Sequence, residues 1–371
     1  MQRVVVAPNA FKGSLAADAV AEAMCAGVHD VFPGAECVML PIADGGDGSV
    51  DAFVRAGFTR APMTVRGPTG AAVQSTAAVR DRTAVVELAD ACGLARLPGG
   101  RPAPMTSSTQ GLGDAITAML DTGVSDIVVC LGGSASTDGG AGLLSALGAR
   151  LLDARGHEVP PAGRGLIDIE TIDLSGLDSR LANIDLTIAS DVQAPVLGPL
   201  GAAAVFAPQK GASPEQVAQL EAGLAHWCGV LEEAAGESVR DVPGSGAAGG
   251  SGAALIAVGG RIRPGAEVIA DVIGLPAALA HADVVVTGEG GLDRQTTMGK
   301  AAAWIAELAR RADCPAVAVC GRIDAEADDL RALGFVGWAD CLSRATDEAD
   351  SRRRAAALVR AATSQALASL A

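Results

Sequence analysis

The sequence predicts an α/β protein of two domains: a discontinuous Rossmann-like domain built from both chain ends, residues 1–60 and 284–371, and a larger α/β domain, 61–283, inserted between them. Three observations lead there. Near both ends a Val-rich run, Arg3–Pro8 and Val284–Thr287, passes through a glycine-bearing loop into a helical pattern, as strand, loop and helix do in an open parallel sheet. That rhythm breaks at about Thr64 and resumes only after Asp283. The composition, 49% hydrophobic with 2% aromatic residues and no Tyr, suits small helices packed on a Val- and Ile-rich sheet. A length of 371 residues agrees with two or three domains.

Taken in order, Arg3–Pro8 reads as a buried strand, and Ser14 as the N-cap of a helix from Leu15 to about Phe32. Glu36–Ile42 is a second strand that runs into Asp44-Gly45-Gly46-Asp47-Gly48-Ser49 and another helix. After the turn Gly67-Pro68-Thr69-Gly70, the partly alternating runs Ala72–Val79 and Thr83–Leu88 form a hairpin joined at Asp81-Arg82. A helix over Gln110–Thr122 precedes a strand over Asp126–Leu131 and the loop 132–140. Asp185–Ala189 is a strand ending in Ser190-Asp191, Pro214–Ala235 is an amphipathic helix, and the glycine-rich stretch from Gly244 feeds a helix over Ala253–Val258. The strand Val284–Thr287 then enters the loop Gly288–Thr296, followed by a helix over Lys300–Arg311, a strand over Ala316–Cys320 and a terminal helix. Several of the glycine loops follow the carboxyl ends of strands, where open α/β sheets hold their ligands.

Charge narrows the function. The net charge of −15 argues against nucleic acid or an anionic membrane as partner. Only three of the 28 basic side chains are lysines: Lys12, Lys210 and Lys300, all in glycine-bearing loops. Lys is a compact cation that can approach a phosphate from any side, where Arg is a planar fork. Adjacent glycine lets the backbone approach a ligand closely. A site for a phosphorylated or otherwise anionic small molecule is expected. In so acidic a protein it must be made locally positive by Lys, Mg²⁺ or helix N-termini. The eight cysteines are scattered without a CxxC and read as buried small hydrophobes. Met1–Val6 runs straight into a strand, which reads as no secretion signal, and no apolar run is long enough for a membrane span. A cytoplasmic location with reduced thiols is expected.

Acids at strand ends supply the other half of the chemistry. Asp44 and Asp47 flank two glycines, Asp138 follows Gly132-Gly133, Asp191 ends a strand, and Asp293 sits in a glycine loop. Such carboxylates can hold Mg²⁺ or take a proton from a hydroxyl, although each alone can equally be a turn or cap residue. Together with three loop lysines they read as a phosphoryl-transfer site. Gly244-Ser245-Gly246-Ala247-Ala248-Gly249 matches G-x-G-x-x-G, but its preceding stretch is a poor strand, so a nicotinamide site is the weaker reading. A phosphate cradle at the following helix and plain tight packing are the other two. The spacing around Lys300 rules out a P-loop, and the four histidines have no zinc spacing.

Seven stretches together resemble the bacterial glycerate kinases of glyoxylate and glucarate metabolism: Ala7–Leu15, Pro41–Phe53, Thr106–Asp114, Leu131–Leu144, Ser190–Ala212, Pro243–Leu255 and Gly288–Lys300. The resemblance implies a discontinuous Rossmann- or flavodoxin-like domain, a second α/β domain, and an active site in the cleft. It implies ATP, Mg²⁺ and D-glycerate, with 2-phosphoglycerate as the usual product; 3-phosphoglycerate or another small hydroxy acid are the alternatives. The chain departs from the family at Asn9-Ala10 (usually Asp-Ser), Asp47 (often Glu), Gln193-Ala194 before Pro195 (usually Thr-Asn) and Gly291 (usually Arg or Ser). The expected catalytic residues are Asp191, Lys12, Asp44 and Asp293, with Asp191 and Asp293 on the metal. Lys12, Ser14, Asp44, Lys300, Ser134 and Asp138 are expected on the substrate. Gly246, Gly249, Gly250, Gly252, Lys210 and Glu289 are expected on the nucleotide. A homodimer is the expected assembly. The rivals are a Rossmann oxidoreductase and a two-lobed anion-binding protein.

Overall fold

Val4, Val5 and Val6 are all fully buried, as a strand paired on both edges inside a covered parallel sheet must be. In the structure, a computed structural model that describes residues 1–11, 13–42, 48–292, 301–368 and 370, their strand Arg3–Pro8 pairs in parallel with Glu36–Met39 and with Val284–Gly288. Val4 lies opposite Cys37 on one side and Val284 on the other. Ala316–Cys320 and Phe335–Asp340 extend this sheet in parallel. The spatial order, second strand, first, then Val284–Gly288 and its two successors, is the doubly wound order of flavodoxin-like sheets. The helices Ala17–Val31 and Ala355–Ala368 pack on each other. Gly27 allows it: a Cβ there would lie 2.5 Å from the Arg360 carbonyl oxygen.

The chain forms two compact units, Met1–Asp44 with Ala266–Ala371, and Gly45–Gly265. The sequence ranges had placed residues up to 60 with the chain ends. The helix Ser49–Arg55 instead packs on Ala72–Arg80 and Thr83–Glu87, and the Glu87 carboxylate accepts from the amides of Gly48 and Val50 at 2.9 and 3.1 Å. The second unit holds a six-stranded sheet in the order Arg261–Arg263, Asp185–Ala189, Asp126–Cys130, Thr83–Glu87, Ala72–Arg80, Thr59–Arg66. Its first four strands run parallel, and Ala72–Arg80 is antiparallel to both of its neighbours. Each unit has its own apolar core.

Several local expectations change. Ser14 does not cap the first helix, which starts at Ala17 behind Ala16; its hydroxyl donates to the Phe11 carbonyl at 3.0 Å. The strand Thr59–Arg66 and the strand Phe335–Asp340 were not read from the sequence. The helix Pro214–Ala235 has the expected bounds, set by a reciprocal capping box between Ser213 and Gln216 and a left-handed Gly236. Seven of the eight cysteines are buried and all are free thiols. Among the described residues no helix is long and apolar enough to cross a membrane.

Candidate functional site

Four parallel strands of the second unit end on the same edge, and the loops after them carry its polar residues. The loop 132–140 follows Asp126–Cys130, and Ser190-Asp191 follows Asp185–Ala189. A cavity of about 130 Å³ opens among Gly132, Gly133, Ser134, Val192, Lys210 and Gly249, with Phe206 and Gln209 beside them. Lys210 belongs to a short helical turn, Pro208–Lys210, closed by left-handed Gly211. Only 3% of Lys210 is exposed. Its Nζ donates to the Ser134 hydroxyl at 2.7 Å and to the Ser136 carbonyl at 2.5 Å. An ammonium has three N–H groups, so one more can serve an oxyanion in the cavity. Burial pulls the Lys210 pKa down to about 8, against the opposing charge of Asp138.

Asp138 is fully buried. One carboxylate oxygen accepts from the Thr109 amide at 2.7 Å, the Thr109 hydroxyl at 2.8 Å and the Gly142 amide at 3.2 Å; the other accepts from the Gly140 amide at 3.2 Å. Burial pushes its pKa up, and these donors pull the other way. Its oxygens are held by donors inside the protein. The buried hydroxyls of Ser107, Ser136 and Thr137, in the same two loops, have no protein hydrogen-bond partner, an arrangement rare enough in native interiors to mark a site.

The glycine stretch 244–252 divides into roles. No strand precedes it, which removes the dinucleotide fingerprint. Ala248, Gly249 and Gly250 are consecutive left-handed residues, with φ of 52°, 70° and 93°. A Cβ on Gly249 would meet the Ser136 carbonyl oxygen at 2.3 Å, and one on Gly250 the Gly139 Cα at 2.9 Å. Gly246 and Gly252 are crowded by the carbonyl oxygens of Pro195 and Gly244 at 2.0 and 2.5 Å. These glycines let the stretch press against the 132–140 loop and its neighbours. Of the four expected on the nucleotide, only Gly249 lines the cavity.

The remaining expected residues fall in both units. Asp191 is exposed at its strand end, and its Oδ1 accepts from the Gly265 amide at 2.7 Å. Ser14 lines a different cavity, of about 170 Å³, in the unit made from the chain ends; Glu289 belongs to that unit too. Lys12, Asp44, Asp293 and Lys300 lie outside the described residues. Thr109 was missed as a site residue. Its sequence signal was the polar run Ser107-Ser108-Thr109 ahead of the helix Gln110–Leu120, which reads as a cap although the hydroxyl is used on Asp138.

Comparison with known proteins agrees over the whole chain. A profile of the glycerate kinase family matches residues 4–371. A glycerate kinase of Bacillus subtilis (strain 168) is 40% identical over 337 residues, 90% of this chain and 88% of that one. A glycerate 2-kinase of Escherichia coli (strain K12) is 38% identical over 326 residues, 86% and 85% of the two chains. A crystal structure described as glycerate kinase 2 from Salmonella typhimurium LT2 superposes with a TM-score of 0.86 at 38% identity, covering 100% of this chain and 98% of the other.

Proposed function

The chain belongs to the glycerate kinase family, and from that premise we propose that it transfers the terminal phosphoryl group of ATP to a hydroxyl of D-glycerate in the cytoplasm, with 2-phosphoglycerate as product. The observation in the structure that carries the chemistry is the buried Lys210 ammonium in the wall of a glycine-lined cavity. Phosphoryl transfer needs in-line placement and charge neutralisation more than covalent chemistry. The glycerate hydroxyl oxygen bonds to the γ-phosphorus while the bond from that phosphorus to the bridging oxygen breaks, releasing ADP. The hydroxyl proton passes to Asp191, and Lys210 offsets charge on the phosphate oxygens, which the Gly249 backbone can approach.

Asp191 is an exposed carboxylate at a strand end, a hard oxygen donor of the class Mg²⁺ accepts. Among the described residues no three His, Cys, Asp or Glu are grouped to hold a metal; Asp191, as the alternative to its role as proton acceptor, and Asp293 are proposed as the carboxylates that would hold Mg²⁺. When bound, Mg²⁺ neutralises phosphate charge. Lys12, Lys300 and Asp44 are proposed to contact the substrate.

The test is a coupled assay. ADP should appear with Mg-ATP and D-glycerate and disappear with EDTA. Enolase with pyruvate kinase, with and without phosphoglycerate mutase, separates the 2- from the 3-phospho product. No ADP above a glycerate-free blank, with other small hydroxy acids also tried, sinks the kinase reading.

A further inference from the structure

The cavity and the buried acid behind it share one loop. Both Lys210 acceptors, the Ser134 hydroxyl and the Ser136 carbonyl, come from the stretch 132–140. The end of that stretch is locked by Asp138 onto Thr109, whose hydroxyl in turn accepts from the Leu143 amide at 2.9 Å. Three backbone amides and one hydroxyl point at the Asp138 oxygens; burial pushes the Asp138 pKa up, and hydrogen bonds of this kind oppose that by favouring the charged form of a carboxylate.

We propose that Asp138 is a positioning residue that acts on the anion site through Lys210: it pins the 132–140 loop to Thr109, and its buried negative charge keeps the Lys210 ammonium protonated. The proposal rests on reading the Lys210 cavity as the place where a phosphate group binds. The titratable groups whose charge acts on Lys210 are Asp138 and the Cys92 thiol. Burial first, then Asp138, pushes that thiol far up, so it is neutral and Asp138 is the charge that matters. Without that charge the buried ammonium loses the attraction that offsets its desolvation, and near neutral pH a larger share of Lys210 becomes an amine with no charge to offer an oxyanion.

The chain has only three lysines, so full-length protein labelled with ¹³Cε-lysine gives three signals, and the one missing in Lys210→Met is Lys210. Its midpoint should lie near 8 in the wild type and fall by roughly one pH unit or more in Asp138→Asn, the size of effect a nearby opposite charge has. An unmoved midpoint in folded Asp138→Asn overturns the proposal. If Asp138→Asn does not fold, Thr109→Val tests the pin: KM for Mg-ATP should rise several-fold with a smaller change in kcat, and Thr109→Ser should restore it. Wild-type KM in Thr109→Val overturns the pin. The NMR readout needs no turnover. A shifted midpoint in a protein inactive on glycerate would sink the kinase reading and leave the Asp138–Lys210 coupling standing, while turnover with an unmoved midpoint would do the reverse.

Discussion

At the scale of single residues, charge and burial decide the roles. Asp191→Asn keeps the size of the side chain and an oxygen for the Gly265 amide but removes charge and basicity. With Asp191 as base or metal ligand, kcat should fall by about 10²-fold, with little change in melting temperature. Steady-state activity within a factor of a few of wild type would move the role to Asp44 or Asp293. Lys210 makes a prediction about stability as well. Its folded-state pKa of about 8 lies below the ordinary 10.5. Below pH 8 both folded and unfolded chains carry the charge, and burial costs stability. Between the two values only the unfolded chain is protonated, so that cost is relieved as pH rises. Lys210→Met should therefore gain on wild type at pH 7 and lose that relative gain by pH 10, a change on the order of 3 kcal/mol in urea unfolding; a pH-independent difference would rule out the depressed amine. That Lys210 sits in a glycine-closed loop was legible in the sequence. The hydrogen bonds of Asp138 were not, because its partner Thr109 is 29 residues away and only the fold brings them together.

At the scale of elements, pattern and packing divide the credit. The Val- and Ala-rich strands Arg3–Pro8, Asp126–Cys130, Val284–Gly288 and Ala316–Cys320 were legible because strands covered on both faces are almost continuously apolar. Phe335–Asp340 escaped because it carries Gly337, which weakens a strand interior. Thr59–Arg66 escaped because Pro62 argues against a strand, yet an edge strand tolerates it. The glycine stretch was the hardest, since a phosphate cradle and tight packing call for the same residue. The structure gives a way to separate them. Gly250→Ala places a methyl group 2.9 Å from the Gly139 Cα at a φ of 93°, which should cost about 1–3 kcal/mol of stability. Gly249→Ala meets the Ser136 carbonyl at 2.3 Å, the group that holds Lys210, so it should also raise KM for Mg-ATP. Equal KM in the two variants, measured where both are folded, would mean that Gly249 is there for packing alone.

At the scale of the whole molecule, the first unit is stitched from two chain ends. Val4 pairs with Val284, 280 residues further along the chain, and the terminal helix Ala355–Ala368 buries Leu358, Val359, Ala362 and Leu367 against a core that includes Val20, Met24 and Val28. The recurrence of the strand-loop-helix rhythm at both ends made this sheet readable. Its outer limits were not, because the helix Ser49–Arg55 chooses its partner by packing on Ala72–Arg80 and not by its place in the chain. The second unit draws its strands and its apolar core from Gly45–Gly265, so the two units should respond differently to loss of the terminus. Removing residues 355–371 uncovers apolar side chains of the helix Ala17–Val31 and takes away a large part of the first core. Hydrogen exchange on the truncated chain should show protection lost over Arg3–Pro8, Val284–Gly288 and Ala316–Cys320, while Asp126–Cys130 and Asp185–Ala189 at the centre of the six-stranded sheet keep theirs, since local stability follows the buried contacts of each cooperative unit. Protection lost evenly along the chain would mean that the molecule unfolds as one unit, and that the Lys210 cavity depends on the terminal helix for its stability.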